Sequence, residues 1–275
     1  MKTLRRTLPP LACLALLILA WELYVRARGV ARYVLPAPSE VWRALVDMAP
    51  DLGPDIRATV TEAVVGLVFA AAAGAGFAIV IASWQLARRT LYPLLVMSQT
   101  VPAIVLAPLL IVWLGFGMLP KIVVVALVGF FPIVVSSVDG LVGADREQID
   151  LVRSFGAGRA QVLRVVQIPN ALPAFFAGLK IAASYAVIAA VIGEWMGAAE
   201  GLGLVMTRAQ RAFRTDRVFA AIVVVALVSL ALFALVGVLG RLATPWTTAT
   251  ESANGVRTSE RGPSGPARRA RSGPA

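Results

Sequence analysis

The chain has 275 residues, 59% of them hydrophobic and 15% charged, with a mean hydropathy of +0.80; a soluble globule carries about 25% charge. Histidine is absent and Cys13 is the single cysteine, which excludes His-based triads, CxxC zinc sites, thioredoxin chemistry and a disulfide framework within one chain. The net charge of +11 sits in short loops and the C-terminal tail, not along one face, so it indicates a polytopic membrane protein rather than a nucleic-acid binder.

A hydrocarbon core takes roughly 20 apolar residues per helix, and six stretches reach that scale. The first runs from about Leu8 to Val25. Met1-Lys2 and Arg5-Arg6 before it also fit a signal peptide, but no A-x-A-like site follows, and Trp21, Glu22 and Tyr24 close the segment. Next comes an expected interfacial helix, with Ser39 as N-cap and Val41, Trp42, Leu45 and Met48 on its apolar side. The second membrane segment covers about Ala58 to Trp84, with Glu62 near its start. The third covers Leu91 to Leu114, with Pro102 and Pro108 inside; the fourth covers Ile122 to Val138, with Pro132. The fifth covers Leu172 to Met196 and the sixth Val218 to Leu239. After about Thr247 the chain is Ser, Gly, Pro, Thr and Arg, which cannot bury enough surface to fold alone. A disordered cytoplasmic tail over 246–275 is expected, with Arg268, Arg269 and Arg271 free to meet anionic lipid.

Arginine and lysine placement favours cytoplasmic termini. That orientation puts Lys2, Arg5, Arg6 and the tight Arg88-Arg89 loop inside. The opposite side still holds Arg26, Arg28, Arg32, Arg43, Arg57, Arg208, Arg211, Arg214 and Arg217, so the bias is moderate.

Small residues recur every fourth position at Gly66, Ala70, Gly74, Ala78 and Ala82, and again at Ala174, Gly178, Ala182, Ala186 and Ala190. This spacing lets helix backbones approach closely in lipid and places these two helices at the centre of a bundle. Pro102, Pro108 and Pro132 are expected to bend their helices, either beside a pathway or for packing alone. Glu194 is either a functional intramembrane carboxylate or an interfacial one beside Trp195, and Lys180 can snorkel to the interface. These three prolines and Glu194 are the candidates for a translocation pathway.

The stretch from Asp139 to Pro173 is the longest polar interruption between the later segments. Apolar residues at helical spacing run through Ile149, Val152 and Phe155, then through Val162, Leu163, Val165 and Val166, with Gly156 and Gly158 between. Two short amphipathic helices at a glycine corner suit docking of a soluble partner, or helices lying in the interface.

This loop resembles the EAA motif of bacterial ABC importer permeases, which is Glu-Ala-Ala, three residues, Gly, nine residues, then Ile-x-Leu-Pro. Asp150-Leu151-Val152, Gly156 and Val166-Gln167-Ile168-Pro169 keep the spacing, with Leu151 and Val152 replacing the alanines. Val34-Leu35-Pro36-Ala37-Pro38-Ser39, Gln99-Thr100-Val101-Pro102, Ala107-Pro108-Leu109, Gly115-Phe116-Gly117 with Lys121, Phe131-Pro132, and Gly201-Leu202-Gly203 after Glu194 look like the nitrate/sulfonate/taurine/pyrimidine subfamily. Arg214 to Ile222 and Pro245-Trp246 look most like hydroxymethylpyrimidine (thiamine-precursor) permeases.

The resemblance implies an all-α membrane protein of about six transmembrane helices with the type I ABC importer permease fold, in a bacterial cytoplasmic (inner) membrane. It implies an N-terminal helix over 1–30, an external linker over 31–57, and a core over 58–245 whose cytoplasmic coupling loop spans 139–171. Implied partners are a cytoplasmic P-loop ATPase dimer, a periplasmic or lipid-anchored substrate-binding protein and a second permease copy, besides membrane lipid; no nucleic acid, cofactor or metal is expected. The chain has no GxxxxGK[ST] loop, so ATP hydrolysis belongs to the partner and the chain is not itself an enzyme. The implied ATPase-coupling residues are Asp150, Leu151, Val152, Arg153, Ser154, Phe155, Gly156, Ala157 and Pro169. Phe155 would be the apolar anchor, Gly156 the corner and Asp150 the cap or brace. The expected cargo is a small organic solute, first a hydroxymethylpyrimidine-type thiamine precursor, with nitrate, sulfonate, taurine or riboflavin-like solutes as alternatives. A secondary carrier would leave the loop unexplained and normally shows an internal repeat, which this sequence lacks.

Overall fold

A computed structural model describes residues 2–98, 100 and 102–246 of the chain. The expected tail with Arg268, Arg269 and Arg271, and the Gln99 and Val101 positions, lie outside the described residues. The described residues are almost entirely helical: α1 (Lys2–Arg28), α2 (Pro38–Met48), α3 (Gly53–Ser83), α4 (Gln85–Ser98), a 3₁₀ turn (Ala103–Leu106), α5 (Ala107–Leu114), α6 (Met118–Val142), α7 (Arg146–Ser154), α8 (Arg159–Val162), a π turn (Leu163–Gln167), α9 (Ile168–Glu194), α10 (Leu202–Arg211) and α11 (Thr215–Ala243).

Five helical stretches among these residues are long and apolar enough to cross a membrane: Leu8–Arg28, Gly53–Ser83, Met118–Val142, Arg159–Glu194 and Thr215–Ala243. The third expected segment is not one helix but α4 and α5, interrupted around Pro102. The two prolines act differently from the expected bends. Pro102 stands outside any helix, and Pro108 sits in the first turn of α5, where its missing N–H costs nothing. The chain nevertheless recrosses between α3 and α6. Gly66 abuts Val125 and Gly74 abuts Ile133, so those two helices run parallel, and the connection must return to the starting end. Six traverses therefore place α1's first residues, the α7–α8 loop and the end of α11 at one end of the bundle, and α10 at the other.

Helices α3 and α9 lie at the centre, as the small-residue rows predict, and α6, which carries no such row, packs between them. A Cβ added to Gly66 would lie 2.5 Å from Val125 Cβ, and one on Gly178 would lie 2.6 Å from the Pro132 carbonyl oxygen. Ala70, Ala78, Ala182, Ala186 and Ala190 are buried at the same seams. Backbones this close gain dispersion contacts along their length, which is the main source of helix association where lipid competes equally for apolar side chains. Pro132 stays within α6 and meets α9 at this contact. The large side chains point outward: Val68, Phe69, Leu227, Leu230 and Leu235 are exposed in the isolated chain. Lys180 ends 4.7 Å over the ring of Phe233 in α11.

A second core at the far end joins Val41, Ala44 and Met48 of α2 to Leu202, Ala220 and Val224. The cap of α2 is not Ser39. Pro38 opens the helix, Ala37 is its N-cap, and the Ala37 N–H donates to Glu40 Oε2 at 3.0 Å. Ser39 instead gives both its N–H and its hydroxyl to Glu22 of α1, at 3.0 and 2.9 Å. Glu22 thus supplies the negative charge that a helix N-terminus favours, and it docks the otherwise peripheral α1.

Candidate functional site

The loop at the lower end forms as two helical arms. Asp145 caps α7 by accepting from the Glu147 N–H at 3.0 Å. Asp150 does neither of the jobs expected of it: its carboxylate is 75% exposed and lies 3.9 Å from Arg153, a surface pair worth little. Leu151 and Phe155 stand one helical turn apart on one side of α7, and Phe155 is 83% exposed. No residue of α7 is buried. The corner is Gly156, at φ +86 with open space around its missing Cβ, so backbone conformation alone requires glycine there. Its N–H closes the helix on the Arg153 carbonyl at 2.8 Å, and Ser154 Oγ donates to the Leu151 carbonyl. Val152 and Ala157 are half-buried inside the bend.

The second arm is bolted to the bundle. Val162 and Val166 are buried, and Leu163 packs into the lower core with Ile81, Val138 and Ala171. The helix widens into a π turn here, with the Ile168 N–H reaching the Leu163 carbonyl. Pro169, lacking an N–H, cannot serve the carbonyl four residues back, which accounts for the widened turn. Gln167 Nε2 donates to the Leu141 carbonyl at 3.2 Å and Asn170 Nδ2 to the Gly140 carbonyl at 3.0 Å, both in the last turns of α6. Sequence reasoning missed this clamp. Its only visible signal is two amides inside an otherwise apolar run from Val165 to Ala171.

At the opposite end, Glu194 is buried at 1% exposure. It accepts from Thr59 Oγ1 of α3 at 2.6 Å and from the Gly203 N–H of α10 at 2.6 Å. The Leu202 N–H donates to Thr59 Oγ1 at 3.0 Å, and the Gly201 N–H to Asp55 Oδ1 at 2.8 Å. The first amides of α10 are thus satisfied by side chains of α3 and α9. This explains Gly201-Leu202-Gly203. Gly201 adopts φ +133, and a Cβ on either glycine would collide with Glu194. Beside it, Lys121 Nζ of α6 pairs with Glu62 Oε1 of α3 at 2.5 Å, both buried, and Glu62 Oε2 has no hydrogen-bond partner. Lys121 acts electrostatically on both Glu62 and Glu194.

The pathway candidates are not gathered into one site. Glu194 lies sixteen residues beyond the Gly178–Pro132 contact, about 24 Å along the helix. Pro102 and Pro108 flank the 3₁₀ turn. Arg214 precedes the first turn of α11 as its N-cap residue. It donates to Asp216 at 3.1 and 3.2 Å, and Arg32 completes that buried carboxylate's pairing at 2.8 Å. Among the described residues no group of three or more His, Cys, Asp or Glu is placed to hold a metal.

Parallel central helices, a broken return segment and a two-armed loop clamped to two of them define a helical membrane permease. Comparison with known proteins agrees. The chain belongs to the family of binding-protein-dependent transport system inner membrane components, whose model matches residues 74–244. It is 35% identical to a probable ABC transporter permease protein of Haemophilus influenzae over 79% of this chain and 89% of that one. It is also 35% identical to the formylaminopyrimidine transport permease protein ThiX of Halalkalibacterium halodurans, over 81% and 89%. A structure of the inward-facing MetNI methionine ABC transporter covers 70% of this chain and 97% of its own, at TM-score 0.58 and 20% identity, and shows the same fold. The chain is an ABC transporter permease of the type I fold.

Proposed function

We propose that this chain is the permease subunit of an ATP-driven, binding-protein-dependent importer in a bacterial cytoplasmic membrane, with both termini and the α7–α8 loop cytoplasmic. A second copy completes the pathway, a P-loop ATPase dimer docks below, and a substrate-binding protein docks above. The observation that carries this reading is α7 itself. It presents Leu151 and Phe155 to solvent on a helix with no buried residue, while its second arm is fixed to α6 and α9. A push on Phe155 passes through the Gly156 corner into two central helices as a rigid-body step between inward- and outward-facing states. Asp150 to Ala157 form the contact, and Pro169 sets the junction with α9.

The cargo best supported is a pyrimidine-type thiamine precursor, because a relative named for formylaminopyrimidine transport matches over most of the chain. Of the pathway candidates, Glu194 has surroundings suited to a mechanical role: it latches α3, α9 and α10 together. Pro102, Pro108 and Pro132 contribute by shaping α5 and the α6–α9 contact beside the pathway.

The test is reconstitution in proteoliposomes with the partner ATPase and binding protein. Phe155→Ala and Gly156→Asp abolish binding-protein-stimulated ATP hydrolysis and uptake while the membrane helices stay folded. Uptake that persists without any ATPase makes the chain a secondary carrier and ends this reading.

A further inference from the structure

A cleft of about 1140 Å³ separates the α3–α4 turn from the loop's two arms, and of its lining the importer reading uses only Arg153. Arg88 of α4, Arg153 of α7 and Arg159 of α8 line it, and no acidic residue does so among the described residues. Arg88 and Arg159 form no ion pair among those residues, and Arg153 has only the 3.9 Å contact with Asp150. Three guanidiniums on three elements line one cleft, with only the 3.9 Å Asp150 contact at Arg153 and Asp139 in the neighbouring cleft shared by Arg88 as nearby acids, so they create a positive potential that an anion would relieve. The same cleft is also apolar on its membrane side. Trp84 and Leu86, 66% and 75% exposed, and Leu91, 38% exposed, come from the turn where α3 leaves the membrane. Tryptophan at the end of a span is an interface residue.

An acidic protein segment would satisfy the arginines and leave Trp84 and Leu86 in water. An anionic amphiphile satisfies both. We propose that this cleft binds an anionic phospholipid, its phosphate held by Arg88, Arg153 and Arg159 and its acyl chains lying over Trp84, Leu86 and the exposed apolar side of α4. Because Arg153 and Arg159 belong to the loop and Arg88 to the bundle, the bound lipid ties the two together. That consequence for coupling rests on the function proposed above; the binding itself does not.

The test measures motionally restricted spin-labelled phosphatidylglycerol against phosphatidylcholine, in vesicles containing the permease alone. The wild type selects phosphatidylglycerol. Arg88→Gln with Arg159→Gln lowers that selectivity about tenfold or more, Arg88→Lys with Arg159→Lys restores most of it, and Arg43→Gln with Arg208→Gln at the other end leaves it unchanged. Equal binding of both lipids, or no effect of the double glutamine variant, overturns the proposal. Competition by millimolar inorganic phosphate would reduce the cleft to a simple anion site. Displacement of the lipid by the partner ATPase would make the cleft an ATPase surface. Either result rejects lipid as the occupant. If lipid binding holds but adding phosphatidylglycerol does not change ATP-coupled uptake, the coupling consequence fails alone.

Discussion

Glu62, Lys121 and Glu194 put two carboxyl groups and one amine into one buried cluster, each less than a tenth exposed. Removing one partner of such a pair leaves an uncompensated charge, whereas replacing both with apolar groups of similar size is far milder. Lys121→Met should therefore destabilise the folded permease by about 3–5 kcal/mol, and Glu62→Leu with Lys121→Met should recover most of that loss. Thermal unfolding in detergent of the two single variants and the double gives the coupling directly; additive losses would show that the 2.5 Å pair contributes nothing as a pair. Glu194→Gln keeps the size and an oxygen that accepts from Thr59 or Gly203, but loses the charge both now face. Assembly should be retained and uptake reduced. Unchanged uptake removes Glu194 from the mechanism. Sequence marked Glu194 as expensive and left its partners invisible, because Thr59, Gly203 and Lys121 come from three other elements. No spacing rule links positions 135 residues apart.

Glycine has two distinct jobs along these helices, and paired substitutions separate them. Gly66 faces Val125 with no room for a methyl group, while Gly76, ten residues further along the same helix, faces open space. Gly66→Ala should cost about 1–3 kcal/mol through forced separation of α3 and α6, and Gly76→Ala should be neutral or slightly stabilising. Unfolding midpoints of the two variants decide the matter; equal midpoints would mean the seam relaxes freely. The small-residue rows were legible because they repeat every fourth position, and the glycine corner was legible because it interrupts helical spacing on both sides. The break in the third segment was not. Hydropathy over Leu91–Leu114 reads as one continuous span, and Pro102 and Pro108 could equally have bent an unbroken helix. The cap of α7 was not legible from the motif, which gave Asp150 only as a cap or brace of the loop; N-capping is decided by which side chain precedes the first helical turn, and that is Asp145.

Six traverses, one of them broken, fix the relation between the two ends of the molecule, and side-specific labelling can read it. Cys13 is the single native cysteine, so a Cys13→Ser background leaves one introduced thiol at a time. Phe155 stands almost wholly exposed at the loop end, and Arg208 is on α10 at the opposite end, beside the Asp47, Asp51 and Asp55 side of α2 and α3. In intact cells, a membrane-impermeant maleimide should label Arg208→Cys and leave Phe155→Cys unlabelled. In inverted vesicles the pattern should reverse. Labelling of both from one side would mean that α9, the one span between them, does not cross. Complete reversal would keep the fold but put the loop outside, where no ATPase could reach it. The same two thiols thus test the helix topology and the coupling reading separately. Adding the ATPase to inverted vesicles tests the second further: it should protect Phe155→Cys from the maleimide and leave a thiol at Arg146, exposed on the opposite side of α7, reactive.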